Sequence, residues 1–182
     1  MSTADHNVPP TPDRVVKLAD LAPAPSTYTM SDAERHQIEH EIAHYPEARA
    51  ASIEALKIVQ KAHGWVPDGA IPVIAQLLGI SAADVEGVAT FYNMIYRQPV
   101  GRHVIKICDN ISCYLTGYED VAKAFSDKLG LVYGQTTPDQ RFTLLPVSCL
   151  GACDHGPVLM IDEDTHRDVS PDAVAAILER YA

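Results

Sequence analysis

Four cysteines are the residues of this sequence whose type and spacing could support metal or redox chemistry. They form two pairs, Cys108-x4-Cys113 and Cys149-x3-Cys153, and no cysteine is left over. Thiolates are soft ligands that suit iron–sulfur clusters, zinc and copper. Four thiolates around two irons and bridging sulfides form the usual ligand set of a [2Fe–2S] cluster, in which each cysteine pair would bind one iron.

Three other uses of four cysteines remain open at this point. Structural zinc usually takes short cysteine knuckles, a spacing to which the second pair comes closer than the first. Thiol exchange of the thioredoxin type needs Cys-x-x-Cys, which is absent from the sequence. Structural disulfides need an oxidising compartment, which nothing at the N-terminus indicates. The spacing also differs from the Cys-x4-Cys-x2-Cys run of plant-type ferredoxins. We therefore favour an iron–sulfur cluster.

The elements that precede the cysteines are predicted to bring the two pairs together. Apolar patterning predicts strands at 103–107 and 142–147, and a helix at 118–129 that Gly130 ends. A strand–helix–strand connection makes the two strands parallel, so their carboxyl ends lie at the same edge of the sheet. Each cysteine pair directly follows one of these strands, and we expect all four thiols to converge. The glycine-bearing loop 148–154 is expected to direct backbone N–H groups toward sulfur.

The remaining elements of the C-terminal half complete an α/β fold. The sequence predicts a third strand at 157–162, a polar turn at 162–165 and a short returning strand at Val169. The last helix is expected to begin at Ser170, with Pro171 in the first helical position. The order strand, helix, strand, hairpin, helix is that of a thioredoxin-like domain, which we assign to residues 99–182.

The N-terminal half predicts a small helical bundle at residues 31–98. Two capping boxes begin helices, one at Ser31 and one at Ser81. The predicted helices are one that ends at Pro46, one at 47–63 that Gly64 ends, one at 68–78, and one that starts at Ser81. Residues 1–30 contain five of the 13 prolines and no apolar periodicity, so they are expected to form a flexible arm.

Composition limits the possible partners and locations. A formal charge of −10, with 14 scattered Lys and Arg residues, argues against nucleic acid and favours protein partners. No apolar run approaches the roughly 18 residues that span a bilayer, so a soluble chain without direct membrane insertion is expected. The N-terminal residues do not have the pattern of a signal or transit peptide. None of the ten glycines is spaced Gly-x-Gly, which excludes a Rossmann fingerprint.

Longer stretches of the sequence carry a family resemblance from about residue 31 to residue 182. They are Arg49-Ala-Ala-Ser-Ile-Glu-Ala-Leu, Gly64-Trp-Val-Pro, Val85-Glu-Gly-Val-Ala-Thr-Phe-Tyr92, Pro99-Val-Gly-Arg-His-Val-Ile, both cysteine loops, and Cys153-Asp-His-Gly-Pro157. In these stretches the sequence resembles the thioredoxin-like [2Fe–2S] family. Within that family it is most similar to the members that serve as the E subunit of bacterial NADH:quinone oxidoreductase, respiratory complex I.

The resemblance implies a function and a set of cluster ligands. The ligands of one [2Fe–2S] cluster would be Cys108, Cys113, Cys149 and Cys153. The chain would be an electron-transfer subunit of the peripheral arm, at the cytoplasmic face of the inner membrane. Its cluster would exchange electrons with FMN on an adjacent flavin- and NADH-binding subunit, off the main chain of clusters. This chain would then hold neither FMN nor NADH and would have no catalytic residues of its own.

Two alternative functions accompany this interpretation. The equivalent diaphorase subunit of an NAD-linked hydrogenase or formate dehydrogenase would share the fold, the cluster and the flavin partner. A scaffold whose four cysteines bind structural zinc belongs to a different functional class. The bundle is expected to contact the flavin subunit in the favoured interpretation.

Two further patterns in the N-terminal half resemble sites. His36, His40 and His44 are spaced four apart, but Ile38 and Ile42 lie about 200° around the helix from them. We therefore expect the histidines to face solvent and to bind no second metal. An aromatic and apolar run, 91–96, is expected to pack between the bundle and the α/β domain rather than against a partner.

Overall fold

The computed structural model describes residues 28–181, so most of the predicted arm lies outside the described residues. Between Tyr28 and Tyr181 no single helix is long and apolar enough to cross a membrane. The elements in chain order are α1 (Asp32–Ile42), α2 (Ser52–His63), α3 (Ala70–Leu78), α4 (Ala82–Phe91), β1 (His103–Cys108), α5 (Ile111–Leu115), α6 (Tyr118–Leu129), β2 (Phe142–Val147), β3 (Leu159–Ile161), β4 (Asp164–His166) and α7 (Val174–Glu179).

The first four helices form the predicted bundle around one apolar core. Both predicted capping boxes are confirmed, because the Ser31 and Ser81 hydroxyls each accept a hydrogen bond from the backbone N–H three residues later. Gly64 ends α2 with φ of 80°, a left-handed conformation that favours glycine. The core contains the fully buried side chains of Ile38, Ala51, Ala55, Leu56, Val59, Val66, Ala70, Ile74 and Val85.

The boundaries of the first two helices differ from the prediction. Helix α1 ends at Ile42 instead of continuing to Pro46, and Tyr45 is more than one-third exposed beyond it. A residue that precedes proline is disfavoured in the helical region, so the chain leaves the helix early. The second helix begins with a 3-10 turn at Ala48–Ala51 before α2 proper starts at Ser52.

The C-terminal half contains a four-stranded sheet of order β2-β1-β3-β4. β1 and β2 are parallel, as predicted, and their register pairs His103 with Phe142 and Cys108 with Val147. β3 pairs antiparallel with β1 and with β4. Helices α6 and α7 pack against the sheet around Ile105, Ile107, Phe125, Phe142, Leu144, Leu159 and Ile161. This is the predicted thioredoxin-like α/β arrangement.

The returning strand lies earlier in the chain than predicted. It is β4, which spans Asp164–His166, whereas Val169 lies in the core after it. The hairpin turn needs only residues 162–163, because Asp162 adopts a positive φ of 53°. Asp162 also attaches the hairpin to β1: its carboxylate accepts a hydrogen bond from Val104 N–H at 3.0 Å, and its carbonyl accepts one from Lys106 Nζ at 2.6 Å. Burial lowers the pKa of Lys106.

Arg97 attaches the connecting segment between bundle and sheet to the bundle. Its guanidinium donates hydrogen bonds to the carboxylates of Asp68, at 2.8 Å, and Glu86, at 2.9 Å, and to the carbonyl of Val66. The carbonyl of Tyr96 accepts a hydrogen bond from Val66 N–H at 2.7 Å. A planar guanidinium can satisfy several acceptors at once, which lysine could not do with the same geometry.

The aromatic run before this segment corrects a prediction. Ile95 is buried in the bundle core, but Phe91 is 79% exposed, and Tyr92 and Met94 are each about 40% exposed. The expectation of interior packing is therefore wrong for these three side chains. Helix α4 ends at Phe91, and of the run 91–96 the turn that follows buries Ile95 and partly buries Tyr96.

Glu34 is a buried carboxylate that joins the start of α1 to the end of α2. It accepts hydrogen bonds from Ser31 N–H at 2.9 Å and Tyr28 OH at 3.0 Å, and it lies 2.9 Å from His63 Nε2. Burial acts to raise its pKa, but the hydrogen bonds from Ser31, His63 and Tyr28 outweigh that effect. The pKa of Glu34 is lowered as a result.

Because folding lowers this pKa, ionised Glu34 stabilises the fold above the pKa of the unfolded chain, and this contribution is lost as pH falls. Glu34→Gln should reduce the free energy of unfolding at pH 7 by about 1–2 kcal/mol. The deficit should shrink at pH 4 and below. Urea unfolding followed by the fluorescence of Trp65, the single tryptophan, measures both values. Asp84→Asn, in the exposed capping box of α4, is the matched control and should reduce the free energy of unfolding by less than Glu34→Gln does. A deficit that does not change with pH would contradict this role for Glu34.

Candidate metal centre

The cysteines lie at the carboxyl ends of the two parallel strands. Cys108 is the last residue of β1, and Cys149 follows β2 by two residues. Cys113 lies on α5, a short helix that the prediction missed, and Cys153 begins a 3-10 turn. The signal for α5 is Asn110, whose side chain accepts a hydrogen bond from Ile111 N–H at 2.7 Å in the manner of an N-cap.

The structure brings the four thiols together. Cys149 Sγ and Cys153 Sγ lie 3.4 Å apart. The Cys113 thiol lies within electrostatic range of both Cys108 and Cys153. Cys153 also interacts with the charge of Cys108. Each thiol therefore interacts with at least one other, and the set spans both loops.

The two pairs differ in burial. Cys108 and Cys113 are buried at 2% exposure each, and Cys149 and Cys153 are exposed. Burial raises the pKa of the Cys113 thiol to about 11, and the hydrogen bond with Cys149 raises the pKa of Cys153. Burial and neighbouring thiols thus favour the protonated forms of Cys113 and Cys153. A metal that replaces the protons would remove the repulsion among the thiolates, so this donor set fits a cationic metal centre.

Hydrogen-bond donors surround the sulfur atoms. Gly151 N–H donates to Cys149 Sγ at 3.4 Å and lowers the pKa of that thiol. Gly151 has φ of 83°, a left-handed conformation that favours glycine, and its N–H is directed toward sulfur as predicted. The prediction missed two further groups that act to lower a thiol pKa, the backbone of Val158 for Cys113 and the side chain of Ser112 for Cys153. Hydrogen-bond donors such as Gly151 N–H stabilise negative charge on metal-bound sulfur.

A small apolar cluster encloses the inner side of the site. The buried thiols of Cys108 and Cys113 pack with Ala152 and Val158, and Tyr118 and Leu150 lie against this group. Apolar enclosure limits solvent access and lowers the local dielectric around a metal centre. The outer side, with Cys149 and Cys153, remains open to solvent.

The geometry argues against disulfides, one of the alternatives that the sequence left open. All four cysteines are free thiols, and the 3.4 Å between the sulfur atoms of Cys149 and Cys153 is far longer than a disulfide bond of about 2.05 Å. Convergence of four thiols suits both structural zinc and a [2Fe–2S] cluster. The choice between these two therefore depends on comparison with known proteins.

The family model of the thioredoxin-like [2Fe–2S] ferredoxins matches residues 38–182. The chain belongs to this family. It is 63% identical over 154 residues to the E subunit of the NADH-quinone oxidoreductase of Pseudomonas aeruginosa, a match that covers 85% of this chain and 93% of the relative. It is 60% identical over 159 residues to the same subunit of Escherichia coli K12, covering 87% and 96%.

A solved structure supports the fold independently of close sequence similarity. An NAD+-reducing [NiFe]-hydrogenase in the air-oxidised state superposes with a TM-score of 0.61 at 18% identity. The match covers 72% of this chain and 22% of the hydrogenase chain. At this identity the likeness concerns the fold alone.

Gly156 lies where the two cysteine loops touch. A Cβ at this position would lie 2.6 Å from Thr116 Oγ1 and 3.5 Å from Cys113 Sγ. The Thr116 hydroxyl is held in place, because it donates to the carbonyls of Ser112 at 3.0 Å and Cys113 at 3.1 Å. The absence of a side chain at Gly156 therefore allows the second loop to pack against the helix that carries Cys113.

Gly156→Ala should force Thr116 or the loop to move. It should reduce the free energy of unfolding by about 1–3 kcal/mol, as overpacking usually does. We expect a lower iron content in the purified protein and a broadened or shifted EPR spectrum after reduction. Thr116→Ala removes the atom at 2.6 Å from the added Cβ, so the double variant should recover most of the iron content and the wild-type spectrum. Failure of Thr116→Ala to rescue would show that the contact between Gly156 and Thr116 does not position the loops.

Proposed function

We propose that this chain is the electron-transferring E subunit of a proton-translocating NADH:quinone oxidoreductase, respiratory complex I. It would carry one [2Fe–2S] cluster on Cys108, Cys113, Cys149 and Cys153. Its place is the peripheral arm at the cytoplasmic face of the inner membrane, beside other peripheral-arm subunits. There it exchanges electrons with FMN on the adjacent NADH-binding subunit.

The proposal rests on one combined observation, the convergence of the thiols in a chain of high similarity to known subunits. The four thiols converge in a chain that is 60–63% identical to subunits named for this complex over 93–96% of their length. Four cysteines alone would also suit zinc, and the fold alone would also suit a hydrogenase diaphorase. Similarity along nearly the whole length of both relatives favours the complex I subunit over either.

The residues of this chain hold and tune the site and perform no bond chemistry. When bound, a [2Fe–2S] cluster accepts and releases a single electron. One pair of thiolates, Cys108 and Cys113, would hold the inner iron in an apolar enclosure, and the exposed pair would hold the outer iron. Gly151 N–H donates to Cys149 Sγ, and the Ser112 side chain acts to lower the pKa of Cys153, so both groups offset the negative charge that reduction adds there.

NADH and FMN are assigned to a partner subunit. The sequence has no Gly-x-Gly, and its converging functional groups are thiols instead of the phosphate-binding backbone of a nucleotide site. The chain is therefore a redox subunit without a catalytic residue of its own. The equivalent subunit of an NAD-linked hydrogenase or formate dehydrogenase is the alternative, and the hydrogenase likeness supports only its fold.

The open edge of the site gives electrons a short route to a partner. Ile111, Tyr114 and Leu115 surround Cys113 on α5 and are 65%, 52% and 77% exposed. Exposed apolar side chains on the helix that carries a buried cysteine of the site suit contact with another protein, since that contact would exclude water from them. We assign contact with the flavin subunit to this edge, in addition to the contact expected for the bundle.

Electron exchange with the flavin subunit is the direct test of this function. The chain is reduced with dithionite under argon, freed of excess reductant, and mixed with the oxidised flavin subunit in a stopped-flow spectrometer. The visible absorption of the oxidised cluster should return while the flavin absorption falls. NAD+ without the flavin subunit should leave the reduced chain unchanged. Reoxidation by NAD+ alone, or no exchange with the flavin subunit, would refute the proposal.

Two charge substitutions locate the contact with the flavin subunit. Leu115→Glu places a charge on the edge beside the cysteines and should weaken binding at least about tenfold, as loss of a central apolar contact does. Phe91→Glu is the matched variant, because Phe91 is equally exposed but lies on the bundle. Titration by light scattering or calorimetry gives both dissociation constants. A loss confined to Phe91→Glu would move the contact from the cysteine edge to the bundle.

A further inference from the structure

A second group of metal-ligating side chains lies outside the cysteine site, at the end of α1. It consists of His40, Glu41 and His44, whose donor atoms all lie within 4.8 Å of one another. The Glu41 carboxylate lies between the two imidazoles: one oxygen is 3.9 Å from His40 Nδ1 and the other is 3.9 Å from His44 Nδ1. The imidazole centroids are 4.7 Å apart.

These three donors match the needs of a borderline divalent metal such as Zn2+. Imidazole nitrogen and carboxylate oxygen bind zinc at about 2.0–2.2 Å, which places neighbouring tetrahedral donors about 3.3 Å apart. Small side-chain rotations would bring the present 3.9 Å separations to that value. All three side chains are partly exposed, with His40 at 65%, Glu41 at 36% and His44 at 59%.

The backbone fixes the spacing of the two histidines. Residues four apart lie on the same face of a helix, and His-Glu-x-x-His is a spacing at which two imidazoles bind one zinc. The helical turn continues past Ile42, because Ala43 N–H donates to the carbonyl of Glu39 at 3.3 Å and His44 N–H donates to that of Glu41 at 3.0 Å. The carboxyl end of a helix carries partial negative charge, which favours a cation there.

We propose that His40, Glu41 and His44 form a surface binding site for one divalent transition-metal ion, separate from the cysteine centre. Three protein donors leave the fourth tetrahedral position to water. The site lies on an open surface, so the inference is ion binding and not hydrolysis. The sequence predicted no second metal because the histidines face solvent, whereas the structure places the Glu41 carboxylate beside two of them as a third donor.

The test uses the full-length chain with its cluster oxidised and intact, so that the four thiolates are occupied. Zn2+ is titrated by isothermal calorimetry, and the visible spectrum is recorded so that only zinc bound without loss of absorption is counted. We expect about one ion per chain. His40→Ala and His44→Ala should each weaken binding at least about tenfold, and Glu41→Gln should weaken it measurably.

His36→Ala is the matched control, because His36 lies one turn earlier on the same helix and outside the group. It should leave zinc affinity unchanged. Three results would overturn the proposal: no saturable zinc binding to the intact chain, equal affinity in the wild type and His44→Ala, or a loss in His36→Ala as large as that in His44→Ala. The last result would indicate general attraction to surface histidines instead of a three-donor site.

Discussion

The parallel pairing of β1 with β2 is the constraint on which the site depends. Six paired positions run from His103 with Phe142 to Cys108 with Val147, so both strands end at the same level. Side chains alternate between the faces of a sheet, and a slip of one residue would turn Cys108 from the apolar group that encloses it toward the opposite face. The register is therefore what brings cysteines from two distant parts of the chain to one place.

Packing on the sheet protects this register. Ile105, Leu144 and Phe142 are fully or almost fully buried beneath α6 and α7, so a shift between the strands would expose them to water. The hairpin of β3 and β4 holds β1 from the other side through Asp162. The contact between Gly156 and Thr116 then sets the distance between the two loops. The sheet register, the hairpin and the contact between Gly156 and Thr116 together position the thiols.

Much of this arrangement could be predicted because it follows from local rules. Helix α6 and strand β2 have the predicted bounds, since periodicity and terminal glycine or turn residues define them. The capping boxes at Ser31 and Ser81 could be predicted equally directly from the sequence pattern. The convergence of the thiols followed from one topological argument, the parallel crossover. The family resemblance and this geometry both indicated the four cysteines as the site residues.

The features that sequence reasoning missed depend on contacts between distant residues. Val158 and Ser112 affect the pKa values of the thiols only because the segment before β3 and helix α5 fold onto the same edge. Phe91 was expected inside because it is aromatic, but the end of α4 leaves it at the surface. Asp162 was interpreted as part of a polar turn, although its hydrogen bonds to β1 make it a structural contact. Composition and spacing do not encode such pairings.

Metal content and EPR spectroscopy distinguish a [2Fe–2S] cluster from structural zinc at the four cysteines. The full-length chain is purified without oxygen, analysed for iron, sulfide and zinc, and examined by EPR after reduction. We expect a red-brown protein with about two irons and two sulfides per chain and a rhombic signal that appears only on reduction. A colourless protein with one zinc at the four cysteines and no signal would contradict it.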